Sequence, residues 1–195
     1  MHFSTPWKTL SAVCVSTLLA TSAWALTADE YKTEKNRISD TYKAEKAQCK
    51  SLAGNAKDVC EEEAEGREKV AKAELEYRKD PSDKHRHEVA KAKADAAYEV
   101  AKEKCDDLKG NAQDVCEKEA KAEHVKALEA AKVADARADS SKDGAAKAAE
   151  VSEARKDAAE NVREAEYKAA KERCDALSGD AKDKCQNDAK RTHAQ

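Results

Sequence analysis

Residues 42–60 read YKAEKAQCKSLAGNAKDVC, residues 98–116 read YEVAKEKCDDLKGNAQDVC, and residues 167–185 read YKAAKERCDALSGDAKDKC. The three align without a gap on the pattern Y-x6-C-x2-L-x-G-[ND]-A-x-D-x-C, which marks the chain as a repeat protein. Gly54, Gly110 and Gly179 supply the left-handed backbone that ends a helix. The residues after them, Asn55, Asn111 and Asp180, read as N-caps of a following helix, with Asp58, Asp114 and Asp183 in its first turn favouring the helix dipole. A helix stop met at once by a helix start predicts a tight antiparallel hairpin. The cysteines lie symmetrically about each Gly-Asn or Gly-Asp pair, so their sulfurs stand at one height across the turn. The expected disulfides are Cys49 with Cys60, Cys105 with Cys116, and Cys174 with Cys185.

A disulfide needs Cα atoms about 5.5–6 Å apart, whereas packed helices usually lie about 8–10 Å apart at their axes. The seam between the arms must therefore be lined with small side chains. Ala90, Ala94, Ala97, Ala101, Cys105 and Leu108 fall on one helical stripe. Ala112, Cys116, Ala120, Ala127, Ala131, Ala134 and Ala138 continue it after the turn. Closing such a loop contributes roughly 3 kcal/mol in the chain-entropy model, a large share for a hairpin whose other contacts are methyl-sized.

Outside the motif, the first 25 residues have their own character. A short start carrying Lys8 leads into an uncharged apolar run from Thr9 to Ala20, which ends in Ala23-Trp24-Ala25. This predicts a secretory signal peptide over residues 1–25, cleaved after Ala25; the run is too short to span a membrane. Cys14 lies too deep in the run for a lipoprotein site. The remaining chain carries 36 basic and 40 acidic residues, a net charge of −4, and keeps six of the seven cysteines. An even cysteine count in an exported chain points to disulfides, and the expected location is the periplasm.

Composition narrows the fold further. Leu, Ile, Val and Phe make up 16 of those 170 residues, about 9%, well under the roughly 20% at which a conventional core is expected. Ala, Glu, Lys, Leu and Arg make up 102 of them, the bias of long helices and coiled coils. Pairs such as Glu65 with Lys69, Glu68 with Lys72, Glu117 with Lys121 and Glu164 with Lys168 have the favourable i to i+4 order. Asp80-Pro81-Ser82-Asp83 and Ser140-Ser141-Lys142-Asp143-Gly144 break the helices. The expected fold is all-α: three antiparallel helical hairpins, each stapled by a C-x10-C disulfide, with Ala-rich packing like that of a coiled coil. Their expected bounds are 26–80, 81–140 and 141–195, the last with a truncated second arm. The unmatched part of its first arm, from Ala145 towards Leu177, is expected to lie along the helix ending near Asp139, with a second copy of the chain as the alternative partner.

The balanced charge argues against a nucleic-acid partner, whose recognition needs a net basic surface. His85-Arg86-His87, with His124 and His193, raises metal binding, but the cysteines lack C-x2-C spacing, and solvated histidines near a helix start are the better reading. Redox chemistry would want C-x-x-C at a helix N-terminus, whereas here each pair straddles a turn. No Ser-His-Asp set, phosphate-binding glycine loop or haem motif occurs, and no cofactor is expected. Tyr42, Tyr98 and Tyr167 each lie two helical turns before a cysteine and are expected beside the alanine seam rather than on a ligand platform.

The expected export signal followed by A-D-E-Y-K, the hairpin C-D-A-L-S-G-D-A-K-D-K-C and the stretch E-K-V-A-K-A-E-L resemble a group of exported bacterial proteins rich in Ala, Lys and Glu. These are often labelled cell-envelope or TolA-like, and the resemblance spans essentially the whole chain after residue 25. It implies a helical envelope protein. Segments such as A-A-K-E-R and V-A-K-E-K are also similar to the repeats of late-embryogenesis-abundant stress proteins. The expected function is a non-enzymatic spacer or interaction scaffold of the cell envelope. The alternatives are a hydrophilic stress protectant and, more weakly, metal or thiol buffering.

Overall fold

The structure, a computed structural model, describes residues 26–193, so the expected signal peptide over residues 1–25 lies outside the described residues. Six helices follow one another: α1 (Ala28–Cys49), α2 (Asn55–Lys79), α3 (Asp83–Cys105), α4 (Asn111–Ala138), α5 (Gly144–Arg173) and α6 (Gly179–Thr192). A 3-10 turn, Cys174–Ala176, separates the last two. The chain is all-α among the described residues, with three disulfide-stapled hairpins.

Local chemistry sets the outer helix ends. Thr27 and Glu30 form a reciprocal capping box that starts α1. Ser82 accepts the His85 backbone N–H to start α3, just after Pro81 has closed the preceding linker. Arg78 and Lys79 sit in the last turn of α2, where a positive charge suits the dipole.

The hairpin turns differ from the expectation in one respect. The glycine does not end the first helix; α1 and α3 stop at Cys49 and Cys105. The N–H groups of Leu52, Leu108 and Leu177 then donate to the carbonyls of Cys49, Cys105 and Cys174 at 3.0, 2.9 and 3.0 Å, closing a tight turn. Gly54 and Gly110, at φ 57° and 58° with ψ −151° and −142°, open the next helix from a backbone region open only to glycine. Asn55 and Asn111 are thus already helical and make no side-chain cap. Gly179 keeps the same positive φ while standing as the first residue of α6, with Asp180 beside it in the first turn. The turn also removes Leu108 from the alanine stripe: it lies beyond the end of α3 and is exposed.

Each helix packs against its neighbours in the chain, α1 on α2, α2 on α3, and so on to α6. The result is a single layer of antiparallel helices. Because α1, α3 and α5 run in one direction, all three stapled turns lie at one end of the layer. Lys104 reaches Glu63 at 3.6 Å between the first and second turns, and the Asn111 side-chain N–H donates to the Glu172 carbonyl at 3.0 Å between the second and third. The linkers at 80–82 and 139–143 lie at the other end, where Tyr31 donates to Glu76 and His87 pairs with Asp135 at 2.6 Å.

The interior is made largely of alanine. Ala64, Ala94, Ala122, Ala131, Ala136, Ala169 and Ala189 are buried, together with Cys49, Cys105 and Cys174, and among the described residues the larger apolar side chains that join them are Ile38 and Leu75. The unmatched length of the third hairpin is covered from within the chain. α5 lies along α4, where Asn161 donates to Glu129 at 3.0 Å and Arg173 pairs with Glu119 at 2.7 Å. The i to i+4 pairs Glu65 with Lys69, Glu68 with Lys72 and Glu164 with Lys168 close at 2.7–2.8 Å. Glu117 instead accepts from Gln113, and Lys121 lies over the Tyr98 ring.

Candidate functional site

Two places concentrate chemistry: the stapled turns, and a polar cluster between α3 and α4. At the turns, Cα atoms of Cys49 and Cys60 lie 5.6 Å apart, those of Cys105 and Cys116 5.6 Å, and those of Cys174 and Cys185 5.7 Å. The first cysteine of each pair is fully buried, while Cys60, Cys116 and Cys185 are partly exposed. Each buried sulfur lies 3.2–3.4 Å from a backbone carbonyl oxygen one turn back, of Glu45, Ala101 or Ala170, at the negative end of its helix. A thiol attacking the accessible sulfur would have to expel the buried one as a thiolate beside that carbonyl, where negative charge is disfavoured. The geometry is that of a staple.

The second place is built around His124, whose side chain is 9% exposed. Its Nε2 lies 2.7 Å from Asp95 on α3, and its ring stacks on Tyr98 with centroids 4.6 Å apart and planes 15° from parallel. Lys91 pairs with the same Asp95, and Lys121 lies 3.3 Å from His124 Nδ1. Burial pushes the Asp95 carboxyl up, but the hydrogen bonds from Lys91 and His124 outweigh it and hold the group below the ordinary carboxylate range. An open groove of about 470 Å³ runs past this cluster, floored by Ala94, Ala97, Ala101 and Ala120. Tyr98 accordingly packs beside the alanine seam, with its face on histidine, and ties α3 to α4.

The histidines of the H-x-H pair turn to different partners. His85 Nδ1 lies 2.9 Å from the Asp80 carbonyl and 3.2 Å from the Ser82 hydroxyl, closing the linker before α3. His87 reaches across to Asp135 of α4. His193 lies 3.7 Å from Glu166 of α5. Among the described residues no three His, Cys, Asp or Glu side chains gather as a metal site.

Sequence reasoning missed Asp95, Asp135 and Glu129 as cross-helix partners. A signal for the neighbouring Tyr98–His124 contact was present: aligned on the second cysteine of each motif, His124 and His193 occupy the same position, while the first copy has Glu68 there. A histidine recurring in register with a tyrosine one arm away marks a contact of the hairpin. No such register signals Glu129 and Asn161, which meet only because α5 folds back on α4. Among the described residues no helix is long and apolar enough to cross a membrane. Comparison with protein-family models, with curated proteins and with solved structures gave no match.

Proposed function

We propose that the chain is an exported, non-enzymatic scaffold of the bacterial cell envelope, working in the periplasm as a helical spacer with docking surfaces. The observation that carries this reading is the continuous layer of charged helices, built of three hairpins that are each stapled by a disulfide at the same end. Disulfides of this buried, structural kind persist in an oxidising compartment. The signal-like segment at residues 1–25 supports export, and the alanine interior suits a helical layer that binds through its charged surface.

Circular dichroism of the dilute oxidised protein, with and without reductant, tests it together with fractionation of the producing cell. The scaffold is strongly helical in dilute buffer, loses helicity on reduction, and is found in the periplasmic fraction. Low helicity in solution that rises on drying would favour a stress protectant instead, a reading supported by the chain's mean hydropathy of −0.94. A measured turnover, abolished by one substitution that leaves the fold intact, would overturn the non-enzymatic reading.

A further inference from the structure

We propose that the stapled end of the layer is a docking surface on which Leu52, Leu108 and Leu177 anchor a basic, amphipathic segment of a partner protein. The proposal rests on the scaffold reading and names where that scaffold binds.

The chain after residue 25 has six leucines, and three of them stand at this one position of the repeat, 44%, 40% and 43% exposed. What the turn uses is the backbone N–H, which donates to the preceding cysteine carbonyl and which any residue other than proline would supply. Half the leucines of a chain that buries little besides alanine thus keep 40–44% of their surface exposed, all at one repeat position and at one end of the layer. The backbone of each leucine is held by that hydrogen bond three residues after a stapled cysteine.

The three turns stand side by side. Neighbouring hairpins are two helices apart, so the leucines recur at every second helix across the end of the layer. Lys104 with Glu63, and Asn111 with Glu172, hold the neighbours together. Glu129 and Asn161 meet the same number of residues from Cys116 and Cys174, which sets the second and third turns level.

Charge decides the occupant. The turn segments 50–58, 106–114 and 175–183 hold seven aspartates against four lysines, a net −3. The field extends between turns: burial, then the negative charges of Asp106, Asp58 and Glu62, raises the Glu103 carboxyl above its ordinary range. Anionic lipid would be repelled by such a surface, whereas a segment with apolar residues on one face and lysine or arginine beside them matches both the leucines and the aspartates.

The test measures binding of the oxidised protein to a Leu/Lys amphipathic peptide long enough to span two turns, and to its Leu/Glu counterpart. Vesicles of phosphatidylcholine with phosphatidylglycerol serve as the lipid arm. The Leu/Lys peptide binds in preference to the other two. The triple variant L52S/L108S/L177S weakens that binding by about tenfold or more, with helicity and disulfides unchanged. The variant D106N/D107N weakens it too and reduces its salt dependence. No binding of the Leu/Lys peptide, equal binding of the Leu/Glu peptide, preference for the vesicles, or less than about a threefold loss in the triple variant overturns the proposal. The scaffold reading survives any of these results, since it falls instead on location, helicity or turnover.

Discussion

Gly66 of α2 stands so close to α3 that a Cβ built there would lie 2.9 Å from the Cβ of Ala96. At an exposed helical glycine, a larger residue raises stability through helix propensity, by up to about 1 kcal/mol. Here the sign reverses, because the added atoms meet the neighbouring helix at its base, where no flexible side chain can swing away. Gly66→Leu is expected to lower stability by about 1–3 kcal/mol, read from urea unfolding. A variant more stable than the parent would show that α2 and α3 do not approach this closely.

Removal of one staple, Cys105→Ser with Cys116→Ser, leaves the first and third disulfides in place. The chain-entropy model gives a loss of about 3 kcal/mol for a loop of this size. The same variant should speed amide exchange in α3 and α4 more than in α1, since the second hairpin loses its own constraint. Unchanged urea unfolding would mean that the alanine seams alone hold the hairpin.

Glu129 is only 6% exposed and takes hydrogen bonds from Lys132 and from Asn161 across the α4–α5 boundary. Asn161→Ala strips that buried carboxylate of a donor and is expected to cost about 1–3 kcal/mol. Hydrogen exchange should show the loss in α5, where the tie is made, and spare α1 and α2. Protection in α5 equal to that of the parent would mean that α5 does not depend on this contact.

Acid should loosen the other edge of the layer. Hydrogen bonds from Arg37 and then Arg78 hold the Glu34 carboxyl down to about 2, against an ordinary 4.5. The folded value lies below the unfolded one, so the stabilisation is fully present above 4.5 and declines as pH falls towards 2. Arg78 comes from α2 and reaches Glu34 on α1 at 3.0 Å, so this is the tie that protonation breaks. Helicity followed from neutral pH to pH 2 should show a smaller acid-dependent change in Glu34→Gln than in the parent. Identical titrations would show that the pair contributes nothing to holding α1.

The hairpins were legible because the code for them is local. Helix propensity, the breakers at 80–83 and 140–144, and cysteines placed symmetrically about a glycine act within a few residues of one another. The details of the turn were less legible. Glycine in the left-handed region suits a helix stop and a helix start equally, and only the i to i+3 hydrogen bonds at Leu52 and Leu108 place the stop earlier, at the cysteine. The outward position of those leucines follows from that displacement.

What the amino-acid order determined by itself is the set of hairpins and their disulfides, since each pairs residues that a single turn brings together. The lateral packing of the hairpins was decided by the tertiary structure, which laid α5 along α4 where the sequence had left a second copy as the alternative. Alanine is the recurrent small residue of both α4 and α5 and specifies no unique neighbour, so α5 is placed on α4 by singular contacts such as Asn161 with Glu129 and Asn111 with Glu172. Those contacts join residues far apart in the chain and leave no period in it. They also set the second and third stapled turns, with their exposed leucines, side by side.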